Sequence, residues 1–314
     1  KVTERRLKQV NPEILTSILL VSATILALIM SNTGLREEYH YVFNDIKIFG
    51  EFNLHLLIND FLMAIFFLVV GCEIKYEILH GHLSSVKKAA FPVIAACGGV
   101  ALPAIIFLMS NYNTRFSNGI GIPISTDIAF AVGVFMVLKN KLDPSLKVFL
   151  LSLAVVDDLI SILVIGIAYS SDINLVGAMC LPANSDNSDK SVLENVNDNL
   201  SPLCNYLILP LFAFSNTGIN LSANVNYSEL KTLIKGIMGG LIIGKPLGIM
   251  LFSYIGVKLH LIEKPKDTTW SSLLQVAILA GIGFTMSIFV TEIAFSGNQD
   301  IIDASKICIL VSGV

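Results

Sequence analysis

The stretch Leu146-Lys-Val-Phe-Leu-Leu-Ser-Leu-Ala-Val-Val-Asp157-Asp158-Leu-Ile-Ser-Ile-Leu-Val-Ile-Gly-Ile-Ala-Tyr169 decides the fold. It is long and apolar enough to cross a bilayer as a helix, which takes roughly 17–25 residues. Yet two adjacent carboxylates stand at its midpoint. An ionised group near a bilayer centre costs roughly 2.5–3.5 kcal/mol on insertion scales. Such groups persist only where they meet other polar groups or water inside a bundle. The stretch therefore predicts a multi-helix membrane protein with a polar interior.

Outward from this stretch the rest of the chain repeats the pattern. Of its 314 residues only 14% are charged, against about 25% in a typical soluble domain, and the charges gather between apolar runs. Eight runs have spanning length: Ile14–Met30, Leu54–Val70, Ala89–Met109, Gly119–Leu138, Leu146–Tyr169, Leu203–Ile219, Leu233–Ile255 and Leu273–Phe295. A ninth begins at Ile307. Sustained period-two alternation is missing, which argues against a β-barrel. A net charge of −3 with no basic stripe excludes a nucleic-acid partner. The five cysteines have no metal or redox spacing and read as small apolar residues in helices. The basic start, Lys1, Arg5, Arg6 and Lys8, leads into Ile14–Met30 with no small-residue cleavage site, so no signal peptide is expected.

Lysine and arginine in short loops set orientation. The basic N-terminus is expected in the cytoplasm, as are the loops carrying Lys75, Lys87 and Lys88 and then Lys139, Lys141 and Lys147. Arg115 is expected outside. Five spans alternate cleanly on this count. Lys258, Lys264 and Lys266 then call for a cytoplasmic loop, which requires an odd number of crossings between Tyr169 and Ser201. The only apolar stretch there, Ile173–Leu181, is too short to span, and the residues after it, Asn184 to Asn199, read as polar linker. The expectation is that the second half inverts, or that Asp157, Asp158 and Lys245 fail to meet at one depth.

Four ionisable residues lie near the middle of apolar runs: Asp127, Asp157, Asp158 and Lys245. A lone Asp–Lys pair would serve as a structural lock. Three carboxylates against one lysine leave negative charge for a proton or a cation to balance. Asp157 and Asp158 differ by about 100° around a helix, so one can face an ion cavity while the other faces Lys245, and Asp157 is the expected partner of the lysine. A carboxylate that holds either a proton or sodium, but not both, is the minimal device for exchange. Backbone breaks point to the same place. Gly119-Ile-Gly121-Ile-Pro123 precedes Ser125, Thr126 and Asp127, and Gly281-Ile-Gly283 precedes Phe284, Thr285, Met286 and Ser287. Gly and Pro interrupt membrane helices where they line a cavity. Asp127 would offset the positive N–H ends of such breaks and Lys245 the negative carbonyl ends, with Thr126 as a neutral oxygen ligand. Gly236, Gly240, Gly244 and Gly248 read as a close-packing face. Asp60 is a candidate for an outer vestibule. Glu73 and Glu77 share one helical face at the cytoplasmic edge near His80 and His82, as a solvated face or a pH-sensing group. Glu292 reads as interfacial.

The stretches Ser125-Thr-Asp-Ile-Ala-Phe130, Leu153-Ala-Val-Val-Asp-Asp158, Leu207-Ile-Leu-Pro-Leu-Phe-Ala-Phe214, Gly244-Lys-Pro-Leu-Gly248 and Gly281-Ile-Gly-Phe-Thr-Met-Ser287 resemble the NhaA sodium/proton antiporters. The resemblance covers about residues 14–170 and 193–314. It implies an all-α membrane bundle of inverted repeats with two interrupted helices crossing at mid-membrane. Such crossings mark transporter sites, and these antiporters are themselves a standing example of that rule. It also implies electrogenic exchange of sodium or lithium for more than one proton, in a bacterial inner membrane and with no cofactor. By motif, Asp157 and Asp158 match the family's ion- and proton-carrying pair, Thr126 and Asp127 its first crossing, and Lys245 its embedded lysine. Sodium is expected at Asp158, Asp157 and Thr126. The family has twelve spans, and its sixth to eighth are missing between Gly177 and Val192. Asp198 and Ser201 stand where relatives often carry histidines, and Tyr76 stands where they carry a basic residue before Glu77.

The expected organisation is a first membrane half (1–170), a shortened polar connection (171–201) and a second half (202–314). The expected activity is antiport rather than enzymatic catalysis, with sodium, protons and the lipid bilayer as partners, in a monomer or a homodimer. A transport-inactive derivative and a passive cation channel are the alternatives.

Overall fold

The computed structural model describes residues 12–49, 52–81, 83–138, 145–169, 192–219, 227–265 and 268–313. The basic residues Lys1 to Lys8, His82, Lys139, Lys141, Lys266, the stretch Ile173–Leu181 and the polar residues up to Lys190 lie outside the described residues.

The chain opens with α1 (Pro12–Ser31) and a short α2 (Arg36–His40). A small antiparallel hairpin follows, β1 (Lys47–Phe49) on β2 (Phe52–Asn53). The rest of the described chain is helical: α3 (Leu54–Leu79), α4 (Val86–Asn111), α5 (Ile128–Val137) and α6 (Ser145–Tyr169). The second half supplies α7 (Val192–Leu203), α8 (Leu209–Asn216), α9 (Tyr227–Met238) and α10 (Lys245–Lys258). It closes with α11 (Trp270–Ala280), α12 (Phe284–Ala294) and α13 (Gln299–Ser312).

Among the described residues, α1, α3, most of α4 and the run Glu229–Lys258 are long and apolar enough to cross a membrane, and α11 with α12 forms one crossing bent by 43°. Leu146–Tyr169 lies in the single unbroken helix α6, while two other spans expected from sequence depart from that simple form. Gly119–Leu138 is interrupted: a 3₁₀ turn (Ser117–Gly121) gives way to irregular chain, and the α-helix begins only at Ile128. The span expected from Leu203 starts at Val192 and continues through a π turn, Cys204–Ile208, into α8. Residues 192–199 are therefore helix and not linker. Val192, Leu193, Val196, Leu200 and Leu203 recur at helical spacing within this polar segment, and α7 packs on α3.

The two halves are joined chiefly by α4 lying against α9 and α10. The glycine ladder makes this possible. A Cβ on Gly236 would meet Asn111 and Phe107, one on Gly244 would meet Pro103, and one on Gly248 would come within 2.0 Å of the Gly98 carbonyl. Small residues let membrane helices approach to backbone contact. The order of these contacts makes α10 antiparallel to α4 and brings Lys258 to the same end as the start of α4. The expected inversion of the second half does not occur. The packed interface between halves sets this relation, in keeping with the lysine count; the expectation of inversion came from the short stretch after Tyr169, which lies outside the described residues.

The two interrupted spans cross at their breaks. Asp127 N donates to the Ile282 carbonyl at 2.8 Å, and Ser287 Oγ donates to the Ile122 carbonyl at 2.7 Å. Gly283 is required at this crossing, because a Cβ there would sit 2.7 Å from the Ser125 carbonyl.

Candidate ion-binding site

Asp127 is the N-cap of α5, yet it serves two helices. Its Oδ1 accepts from Phe130 N at 3.0 Å, while Oδ2 accepts from Thr285 N at 3.0 Å and Thr285 Oγ1 at 2.6 Å. The positive ends of α5 and α12 thus converge on one buried carboxylate. On the carbonyl side of the crossing, Lys245 Nζ donates to the Ile124 carbonyl. Thr126 Oγ1 lies 3.0 Å from the Ala280 carbonyl and 2.6 Å from Asp157 Oδ2. Each break is covered by a group of opposite polarity.

Lys245 Nζ also stands 2.8 Å from Asp157 Oδ2, and both side chains are fully buried, 0% exposed. Asp157 Oδ2 therefore holds both the lysine and Thr126. Asp158, one residue on, turns away from that cluster. It borders a cavity of about 530 Å³ that also reaches Thr126, Asp127 and Thr285, and whose mouth carries Glu13, Glu73 and Glu77. Asp158 is 3% exposed, and its Oδ1 has no hydrogen-bond partner. A buried carboxylate oxygen without a partner is costly. Here the residue borders a cavity that can deliver a cation or a proton.

The structure brings Asp157, Asp158, Thr126, Asp127 and Lys245 together, and it places Glu73 and Glu77 on the wall of the same cavity. Glu73 accepts from Ser201 Oγ at 3.3 Å, so its surroundings differ from those of a simple solvated face. Asp60 is separate: it is exposed on the π turn Leu57–Leu62. Its neighbour Asn59 exchanges amide hydrogen bonds with Asn216 at 3.2 and 2.7 Å.

Three features escaped sequence reading. Thr285 was noted only as part of a motif, and nothing along the chain ties it to Asp127. Glu292, in the last turn of α12, stands 2.5 Å from Lys306, with side chains 16% and 6% exposed. The incomplete run taken from Ile307 begins one residue past Lys306, so the usual warning of a charge inside a span was lost. Lys147 binds both oxygens of Glu13 at 2.7 and 2.8 Å, tying α6 to α1 at the cavity mouth.

The family described as Na+/H+ antiporter 1 matches residues 8–178 and 174–314. The junction of the two matches adjoins the place where sequence reading finds helices missing. The chain is 38% identical to the Na(+)/H(+) antiporter NhaA 2 of Aliarcobacter butzleri, over 97% of this chain and 92% of that protein. It is 34% identical to the Na(+)/H(+) antiporter NhaA of Helicobacter pylori (97% and 91%) and 37% to that of Escherichia coli K12 (95% and 92%). The first alignment runs over 370 positions, more than this chain's 314 residues, so the relative carries internal segments this chain lacks. With both halves matched in order, the chain belongs to the Na+/H+ antiporter 1 family.

Proposed function

We propose that this protein is a secondary antiporter that exchanges sodium, or lithium, for protons across a bacterial inner membrane. One observation carries the reading. Asp157 is already neutralised by Lys245, while the adjacent Asp158 is buried at the cavity with an unpartnered oxygen. That carboxylate holds a proton or a cation, and each excludes the other.

In this reading sodium enters past Glu13, Glu73 and Glu77 and settles on Asp158, Asp157 and Thr126, displacing the proton from Asp158. Drawing Asp157 toward the ion loosens its contact with Lys245. Exchange of more than one proton for each sodium, as the family resemblance implies, makes the cycle electrogenic. Asp127 keeps the two helix ends together at the crossing. Lys75, Lys147, Lys258 and Lys264 mark the cavity end as cytoplasmic, with the N-terminus on that side.

Sodium-dependent proton movement in everted vesicles tests the reading. The expected result is exchange in the wild type and its loss in Asp158→Asn, because an amide cannot trade a proton for a cation. Undiminished exchange in that variant would overturn the assignment.

A further inference from the structure

The cavity-facing residues of α6, Val148, Leu151, Val155 and Asp158, follow one helical stripe that ends at Asp158. One turn further along lies Ser161. It is 3% exposed, and its Oγ has no hydrogen-bond partner. A residue advances about 100° and 1.5 Å along a helix. With Asp157 at 0° and Asp158 at about 100°, Ser161 falls near 40°, between the two carboxylates and about 4.5–6 Å further along the axis. Asp157 Oδ1 and Asp158 Oδ1 also lack partners. Three orphan oxygens thus occupy one face of α6 within about a turn.

Buried helical hydroxyls in this molecule normally find a partner four residues back. Thr24 donates to the Leu20 carbonyl, Thr291 to that of Ser287 and Ser305 to that of Ile301. Ser161 does not bond to the Asp157 carbonyl, which stands at the equivalent place. Ser31, Ser215 and Ser253 are also unpartnered, but no carboxylate lies within four residues of any of them. Among the described residues, only Ser161 has its orphan hydroxyl within four residues of orphan carboxylate oxygens. A group of unsatisfied buried acceptors marks the place of an ion or water.

The geometry points to Ser161 as a ligand of the transported monovalent cation, supplying a neutral oxygen on the far side of the Asp157–Asp158 pair from the cavity. The inference rests on the antiport reading and extends it. A cation held by Asp158 and Thr126 from the cavity side gains Ser161 Oγ as it passes toward the opposite end, so Ser161 tunes cation affinity without touching the proton-carrying groups.

The test measures sodium binding rather than transport. Tm of the purified full chain in detergent is followed against sodium at constant ionic strength, since a bound ligand stabilises by mass action. Deleting an unpartnered hydroxyl leaves no other group unsatisfied, so Ser161→Ala keeps its sodium-free Tm. Its apparent sodium Kd is expected to rise roughly three- to tenfold, the scale of one lost neutral contact. Ser161→Thr, which keeps the hydroxyl, is expected to retain wild-type affinity, whereas Ser161→Cys loses it as the alanine variant does. No sodium-dependent shift in the wild type would sink the antiport reading itself. A normal wild-type shift with unchanged Kd in Ser161→Ala and Ser161→Cys would overturn only the role of Ser161, as would failure of Ser161→Thr to hold affinity.

Discussion

Two buried lysine–carboxylate pairs are built in opposite ways. Lys245–Asp157 joins the two halves of the chain, is sealed at 0% exposure on both sides, and shares its carboxylate with Thr126. Lys306–Glu292 joins consecutive helices, α12 and α13, and its carboxylate is 16% exposed. The first has an extra negative charge beside it in Asp158 and a cavity leading to it. Around the second, Asp303 and His55 are near enough to feel its charges. A salt bridge inside a membrane protein is thus not by itself a functional signal. Complete burial, and the cavity that the adjacent Asp158 borders, set the first pair apart.

The largest expected effect lies at the sealed pair. Lys245→Ala leaves a fully buried carboxylate uncompensated and should cost roughly 3–5 kcal/mol. Adding Asp157→Asn should recover part of that loss, because the buried charge goes with its partner. Thermal unfolding of the two single variants and the double variant in detergent makes the comparison. Strict additivity would mean that the two side chains are not coupled.

Lys306→Ala should cost less, roughly 1–3 kcal/mol, between the values typical of buried and surface pairs, since water reaches the abandoned Glu292. Its sodium dependence of exchange should match the wild type. A shift in sodium KM as large as that of a site variant would erase the distinction drawn above and make the outer pair part of the ion path.

The smallest effect is expected at the surface. Arg115 and Glu229 meet at 3.4 Å with both side chains 61% exposed. Arg115→Ala should change stability by about 0.2–1 kcal/mol, and the difference should shrink in high salt. A change that exceeds the Lys306 effect would show that burial is not what ranks these pairs.

Much of the site was legible along the chain. Asp157, Asp158, Asp127 and Lys245 stand out because a charge inside an apolar run is costly wherever the run folds. The two breaks are visible because Pro123 and the paired glycines disrupt helices locally. The partners of these groups were less legible. Thr285 holds Asp127 across the crossing, and a threonine within a helix carries no mark of such a contact. Lys306 was hidden by a misplaced helix boundary, and nothing along the chain ties it to Glu292 in the last turn of α12.

The sequence by itself determined that this is a multi-pass helical membrane protein, where its chain breaks, and which ionisable groups must face inward. These follow from run length, local backbone chemistry and the cost of charge in lipid, all properties read along one dimension. The pairing of Lys245 with Asp157 was expected along the chain and is seen; only the tertiary structure decided that Asp127 caps two helices, and that the second half keeps its orientation despite the shortened connection. Those outcomes depend on the angular setting of each helix and on backbone contact between the glycine ladder and α4. Residues far apart in the chain enter that packing together, and no spacing rule encodes it.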